Sequence, residues 1–484
     1  MLWGRFRTAG RSGSVVLIPL IYLVLPNLPI WIFEKQMALY PHGYINVESL
    51  LVGVFAVFLP RILTFFFLFI ETAAAFVYLI CYTYQFSLSS LLASTHYLSL
   101  LPVGRRSSIV LAFFAVTVVS ALVAWATPQP QGLNRALASA ILLLSAVLLV
   151  GLDTLDGQNP TIARDASHAV RRISISPLAE LGERGLFFHW LEASSHSLKD
   201  VPVASASAVG THFLDQTTPA KAPNVVLVVI ESWGLLLNSQ LADAITAGYQ
   251  DLAINKKYSV SFGTVPFTGL TVPGEARELC HSSVGFGIVH LTAAHENDCL
   301  PAVLHSHGYK DIAVHGYVGG MFEREKWYRT IGFDQRWFGP DLEQLGLSHC
   351  DGAFPGICDG DIANWIGRSL LSETEDQPRF VYWVTLNSHL PVIDPTFLPS
   401  DTNVCSSFTE LNDSRPLCSW FRLILQVHRS VQRVALQDRV RPTVFILVGD
   451  HAPPFSNPVL RQLFSESKVP YVVLTPRIEG LADE

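Results

Sequence analysis

The first third of the chain is written in long uncharged apolar runs. "SVVLIPLIYLVLPNLPIWIF" (14–33), "SSIVLAFFAVTVVSALVAWA" (107–126) and "ALASAILLLSAVLLVGL" (136–152) each come near the roughly 20 residues needed to cross a bilayer. Residues 44–86 are apolar for about two further spans and are interrupted by Pro60 and Arg61, which reads as two helices joined by a very short turn. Five spans are expected. From Asn224 onward the pattern changes. "NVVLVVIE", "YKDIAVHG", "RFVYWVTLN", "TVFILVGD" and "PYVVLTP" are short, β-branched and continuous rather than alternating. That pattern suits strands buried on both faces of a parallel sheet. The stretches between them are long enough for helices, so this part is expected to be an α/β domain.

Composition agrees with two regions in different solvents. Half of the 484 residues are hydrophobic and 15% are charged, too apolar for an ordinary soluble enzyme of this length. Arg5, Arg7 and Arg11 precede the first span and favour a cytoplasmic N-terminus, so that five spans place the C-terminal part outside. Arg61 and Arg135 agree with this topology, whereas Arg105 and Arg106 run against it, and a single long span across Arg61 would invert it. Cysteine supplies a second signal. Cys81 lies in a predicted span, while Cys280, Cys299, Cys350, Cys358, Cys405 and Cys418 fall into three sequence-near pairs, as expected of a disulfide framework in an oxidising compartment. The net charge of −7 argues against a nucleic-acid partner. Residues 156–222 form a connector, in which Phe187, Phe188 and Trp190 suit either an interfacial helix or one packed on the globular domain.

Ligands in open α/β sheets bind beyond the carboxyl ends of the strands. Glu231 follows "NVVLVVI", His315 ends "DIAVH", His389 follows "FVYWVTLN", and Asp450 and His451 follow "TVFILVG". Taken singly, each has an ordinary explanation, such as a carboxylate at a helix N-terminus or a satisfied core histidine. A sheet would bring all of them together. Glu231, Asp450 and His451 offer a donor set for one divalent cation with a position left for an oxygen. Thr271, in "VPFTGLTVPGEAREL", can provide that oxygen, because a divalent ion lowers the pKa of a hydroxyl that is otherwise a weak nucleophile. Gly263, Pro266 and Gly269 are expected to permit a tight turn before it, and "VPGEAREL" reads as a helix whose N-terminus suits a phosphate or sulfate. Thr271 as a simple helix cap is the local alternative.

These pieces resemble the alkaline phosphatase superfamily, in its membrane-anchored branch of lipoteichoic acid synthases, phosphoglycerol transferases and phosphoethanolamine transferases. The resemblance rests on "PNVVLVVIESWG", "GLTVPGE", "HGYVGGMFEREKWYRTIGFD", "TLNSHLP" and "VGDHAP", in the family's order and over most of residues 223–452. It implies a helical transmembrane bundle over 1–155, a juxtamembrane linker over 156–222, and a sulfatase-like α/β domain with a mostly parallel sheet over 223–484. It further implies Thr271 as nucleophile, Glu231, Thr271, Asp450 and His451 around manganese or zinc with magnesium as an alternative, and His315, Arg324 and His389 in the substrate pocket. The expected donor is a membrane phospholipid, the acceptor a glycan, lipid A or another envelope molecule, and the location a bacterial inner membrane with the catalytic domain outside.

The chain departs from the family pattern in places. Phe322 stands where the lipoteichoic acid synthases place a tryptophan, with Trp327 slightly later, and His281, His290 and His295 do not align with the further zinc histidines of the phosphoethanolamine enzymes. Sulfatase activity is not expected, because "TVPGE" lacks the C/S-x-P-x-R signature from which formylglycine is made. A metal-dependent phosphodiesterase and a non-catalytic scaffold in polysaccharide assembly are the two other readings.

Overall fold

The computed structural model describes residues 13–36, 46–84, 91, 94–157, 222–267, 270–281, 299–371, 377–391, 395–398, 402–455 and 458–477. The connector with Phe187, Phe188 and Trp190, as well as His290, His295 and Gly269, lies outside the described residues. The chain divides into two compact units, the second of which includes the short stretch 93–102 together with everything after 197.

The first unit is helical, with α1 (Gly13–Val24), α2 (Asn27–Gln36), α3 (Glu48–Ala56), α4 (Arg61–Tyr84), α5 (Val103–Ala126) and α6 (Leu133–Gly157). The first expected span is two helices broken around Pro26, and the break at Pro60 separates α3 from α4 as the sequence suggests. By length and composition α5 is able to cross a membrane, whereas Leu17–Phe33 and Leu133–Leu149 are shorter apolar stretches. Large apolar side chains are left uncovered along these helices, including Phe55, Phe58, Phe66, Phe67, Ile70, Phe114 and Leu144.

The second unit is built on a seven-stranded sheet. Its strands are β1 (Asn224–Ile230), β2 (Tyr258–Pro266), β3 (Lys310–His315), β4 (Gln335–Trp337), β7 (Arg379–Val384), β8 (Thr443–Gly449) and β9 (Lys468–Pro476), in the order β2-β9-β8-β1-β7-β3-β4. A small hairpin, β5 (His349–Cys350) with β6 (Gly356–Ile357), stands apart. The strands β8, β1, β7, β3 and β4 are parallel. They carry the continuous apolar runs because both faces are covered. Val226, Val228 and Ile230 of β1 enter one core, and Val225, Leu227 and Val229 enter the other. Each such side chain contributes about 1.5–3 kcal/mol on burial.

Two features differ from the sequence expectation. The run "PYVVLTP" forms β9, which is antiparallel to β8 and pairs with β2, also antiparallel. β2 itself is half polar and mostly uncovered, since it is the outer edge, so it gives no continuous apolar signal. Gly263 and Pro266 therefore lie in β2 and not in a turn before Thr271; a Cβ at Gly263 would stand 2.3 Å from the Tyr471 ring across the pair.

Helices cover both faces. The helices α7 (Thr271–Cys280), α8 (Leu300–Ser306) and α9 (Arg324–Thr330) pack on one side. On the other side lie α10 (Asp359–Trp365) and the long α11 (Arg415–Leu436), which buries Leu417, Trp420, Phe421, Ile424, Val427, Val431 and Val434 on one stripe. Ser414 caps α11 by accepting from the Leu417 amide, and Pro416 sits in its first turn, where no helix hydrogen bond is lost. Disulfides join the sequence-near pairs Cys280–Cys299, Cys350–Cys358 and Cys405–Cys418.

His428, on the buried stripe of α11, meets the Tyr249 hydroxyl at 3.0 Å through Nδ1 and packs edge-on against Trp233. Burial pushes its pKa down to about 3, so the folded protein holds it neutral while the unfolded chain takes up a proton near pH 6.5. The stability it contributes is present above pH 6.5 and is lost as pH falls toward 3. Denaturant midpoints at pH 7.5 and pH 5 should fall further in the native chain than in His428→Gln.

Candidate active site and metal centre

The four adjacent strands β8, β1, β7 and β3 end side by side, and each delivers a chemically competent residue at its carboxyl end: Asp450 and His451, Glu231, His389, and His315. Thr271 joins them as the first residue of α7. Its hydroxyl does not cap the helix. The cap position belongs to Leu270, without a side-chain bond, while Thr271 Oγ1 donates to Glu231 Oε2 at 2.8 Å and lies 3.5 Å from His451 Nε2. His451 Nε2 is also 3.5 Å from Glu231 Oε1 and 3.3 Å from Asp450 Oδ2.

Hydrogen bonds fix the orientation of each donor. Ser232, at the left-handed φ of 58°, donates its amide to Asp450 Oδ1 at 2.7 Å and its hydroxyl to Glu231 Oε1 at 2.8 Å, while Trp420 Nε1 donates to its carbonyl at 2.9 Å. Backbone strain of this kind persists where its surroundings over-determine it. The His451 amide donates to Asp450 Oδ1 at 2.6 Å. His451 Nδ1 donates to the Ala452 carbonyl at 2.8 Å, which turns Nε2 to the carboxylates; burial opposes its charge, but Asp450 and Glu231 push its pKa up to about 9, so that Nε2 carries a proton between them. His315 is held likewise, Nδ1 to the Val384 carbonyl at 3.1 Å, and His389 Nδ1 bonds the Leu390 carbonyl at 2.6 Å.

The two carboxyls and the imidazole set one another's charge. Burial and the neighbouring Glu231 charge push Asp450 up to about 8. Burial opposes ionisation of Glu231 too, yet His389 and His451 more than offset it and hold this carboxyl well below its usual range. Asp450 Oδ2 is buried and, among the described residues, has no hydrogen-bond partner beside the His451 ion pair at 3.3 Å. One ligand atom from each of Glu231, Asp450 and His451 falls within 4.8 Å of the others. Two carboxylates, an imidazole and an alcohol oxygen fit a divalent ion such as zinc or manganese.

Arg324, expected in a substrate pocket, is buried, and its fork is occupied. Nε and Nη2 donate to Glu275 Oε1 at 3.0 and 2.7 Å, and Glu275 Oε2 accepts from the hydroxyls of Tyr328 and Tyr382. Glu275 stands one helical turn after Thr271, so α7 positions both the hydroxyl and the arginine. His315 is pushed down to about 3 by burial and by the Arg324 charge, and is therefore a neutral imidazole at ordinary pH.

Sequence reasoning did not single out several residues that hold this arrangement. Arg277 donates to the carbonyls of Gly449 at 2.6 Å and Asp450 at 3.2 Å, which locks the helix to the β8 end. Asp359 accepts from the amides of Leu386 and Asn387 and fixes the turn that carries Ser388 and His389; Ser388 Oγ in turn donates to the Glu231 carbonyl at 2.6 Å. Only Glu275 left a trace in the sequence, its i+4 spacing from Thr271. Of the three extra histidines, His281 is the left-handed C-cap of α7. Phe322 packs under Arg324, its ring centroid 5.3 Å from the guanidinium carbon, and Trp327 is buried in the core.

Residues 223–479 match the family model described as Sulfatase, over more than half of the chain. The chain belongs to that family. No curated protein matches it. Among solved structures, it is similar to the integral membrane lipooligosaccharide phosphoethanolamine transferase A from Neisseria meningitidis, at 17% identity over 96% of this chain and 88% of that one, with a TM-score of 0.40. The lipoteichoic acid synthase LtaP from Listeria monocytogenes aligns at 16% identity over 57% of this chain and 70% of its own, TM-score 0.37. The Streptococcus pyogenes phosphoglycerol transferase GacH, solved with sn-glycerol-1-phosphate, aligns at 15% identity over 56% and 77%, TM-score 0.38.

Gly274 tests the geometry directly. A Cβ there would stand 2.9 Å from Asp450 Cα and 2.8 Å from its Cβ, so Gly274→Ala must push α7 away from the metal-side loop. A displacement near 1 Å costs on the order of 100-fold in rate. Turnover of a chromogenic phosphodiester should fall by about that factor, with the circular dichroism spectrum retained.

Proposed function

We propose that the chain is a membrane-anchored transferase that moves a phospho-alcohol head group, phosphoglycerol or phosphoethanolamine, from a phospholipid to a glycan or glycolipid acceptor through a phosphothreonine at Thr271. The observation that carries this reading is the Thr271 hydroxyl, bonded to Glu231 at the N-terminus of α7 and facing His451 and Asp450. A hydroxyl so placed has a proton acceptor, and a helix N-terminus behind it favours an incoming phosphate.

Glu231, Asp450 and His451 would hold the divalent ion, with Thr271 beside them; when bound, such an ion lowers the pKa of the hydroxyl and offsets charge on a phosphoryl oxygen. The remaining work falls to the side chains. Thr271 Oγ1 attacks phosphorus as its proton leaves along the hydrogen bond to Glu231 and on to solvent, Glu231 staying ionised, and the bond to the diacylglycerol oxygen breaks. Arg324, fixed by Glu275, faces the phosphoryl charge. His389, at the end of β7, exchanges the proton with the leaving and then the attacking hydroxyl. The neutral His315 donates or accepts a hydrogen bond without adding charge. In the second displacement the acceptor hydroxyl attacks the phosphothreonine and restores Thr271.

Membrane attachment is part of the same proposal. The uncovered apolar faces of α3 to α6 suit lipid, and five spans remain our reading of the 14–152 stretch. Residues 94–102 support an even number of crossings in α5 and α6: Tyr97 packs edge-on against Phe322, and the Tyr317 hydroxyl donates to the Leu100 carbonyl at 2.7 Å, so this inter-helix stretch and the catalytic domain share one side. The three disulfides suit the oxidising outer side of a bacterial plasma membrane. An anchor in the donor's own bilayer raises its effective concentration.

The test is release of diacylglycerol from vesicles of phosphatidylglycerol or of phosphatidylethanolamine by the detergent-purified full chain supplied with manganese or zinc. One lipid should be consumed, with the head group recovered on an added glycan, and Thr271→Ala should abolish both. Head group recovered only as free phospho-alcohol, whatever acceptor is offered, would make the protein a hydrolase. Consumption of neither lipid would reject both donors.

A further inference from the structure

At the opposite end of β3 from His315 lies a second group of metal-type donors. Asp311 is the second residue of β3, Asp334 immediately precedes β4, and His305 lies in the last turn of α8. His305 Nδ1 stands 3.3 Å from Asp311 Oδ2 and 3.4 Å from Asp334 Oδ2. The Asp311 side chain is fully buried, and neither of its carboxylate oxygens has a hydrogen-bond partner among the described residues. A buried carboxylate left this way costs several kcal/mol unless a cation or a proton settles it. The strand carries hydrophobic residues at its next three positions, Ile312, Ala313 and Val314, so an acid at 311 is not required by the core.

From this arrangement we infer a second divalent-cation site, formed by His305 Nδ1, Asp311 and Asp334, of the kind occupied by zinc. Ligand atoms about 2.0–2.1 Å from a tetrahedral zinc are separated by about 3.3–3.4 Å, which is the spacing of His305 Nδ1 from both carboxylates. The orientation of Asp334 is already fixed, since its Oδ2 accepts from the Asp311 amide at 3.0 Å, a supporting bond of the type that steadies ligating carboxylates. His305 is 58% exposed, which leaves room for a water as the fourth ligand. The role is structural. The ion would tie α8 to β3 and to the start of β4, and Cys299 at the N-cap of α8 holds the end of α7 through its disulfide to Cys280.

The competing explanation is a protonated His305 bridging the two carboxylates without metal. Zinc content of the full-length protein, purified in detergent, loaded and dialysed, separates the two by elemental mass spectrometry. Two equivalents are expected in the native chain and one each in His305→Gln and Asp450→Asn. The His305 variant changes an exposed side chain and so guards against misfolding, and its thermal midpoint should have lost part of its zinc-induced rise. Retention of two equivalents by His305→Gln, or a native content of one that Asp450→Asn removes, would overturn the second site. A native content of one that His305→Gln removes and Asp450→Asn keeps would instead leave this site standing and remove the metal from the catalytic cluster.

Discussion

Glu231 and Asp450 end neighbouring parallel strands, both wholly enclosed, with His451 between them. Two carboxylates in that position repel each other and lack solvent, so the fold must either protonate one or supply positive charge. The fold uses both: burial and the Glu231 charge push Asp450 up to about 8, and His451, pushed up to about 9, faces the acids as an imidazolium. Ser232 adopts a strained conformation to donate to both acids. Thr271 is the alcohol placed where a shared cation would reach it. Without these acids the strained turn after β1 would have no evident use.

One helix connects the strand-end cluster with Arg324. Thr271, Gly274, Glu275 and Arg277 occupy two turns of α7 and make different contacts: a hydrogen bond to Glu231, close approach to Asp450, support of Arg324, and attachment to the β8 end. Breaking a buried pair such as Glu275–Arg324 costs about 3–5 kcal/mol, and here the loss would also release the arginine from its fixed direction. Helix α7 is therefore better viewed as a rigid bracket than as a scaffold for one residue. The disulfide at Cys280 steadies its far end.

The parallel part of the sheet was legible because strands covered on both faces are continuously apolar over most of their length, as "NVVLVVI", "DIAV", "FVYWV" and "TVFILVG" are. Polarity of direction was not legible: β9 is as apolar as β8, yet runs the other way, and the exposed edge strand β2 gave no run at all. Glu231, His315, His389, Asp450 and His451 could be named because they interrupt apolar runs at the strand ends. Arg277, Asp359 and Ser388 could not, since their value lies in bonds to backbone groups more than 25 residues away, which leave no local pattern. Gly263 shows the reverse error: a glycine read as a turn residue makes room for Tyr471 in a strand.

The central claim is that Thr271 becomes covalently modified. Full-length protein loaded with metal, mixed briefly with donor vesicles, quenched in acid and digested, allows the peptide containing Thr271 to be weighed. The account predicts a gain equal to one phosphoglycerol or one phosphoethanolamine unit, located on Thr271. Rapid consumption of lipid with Thr271 unmodified at every quench time, or with the added mass on another residue, would contradict it.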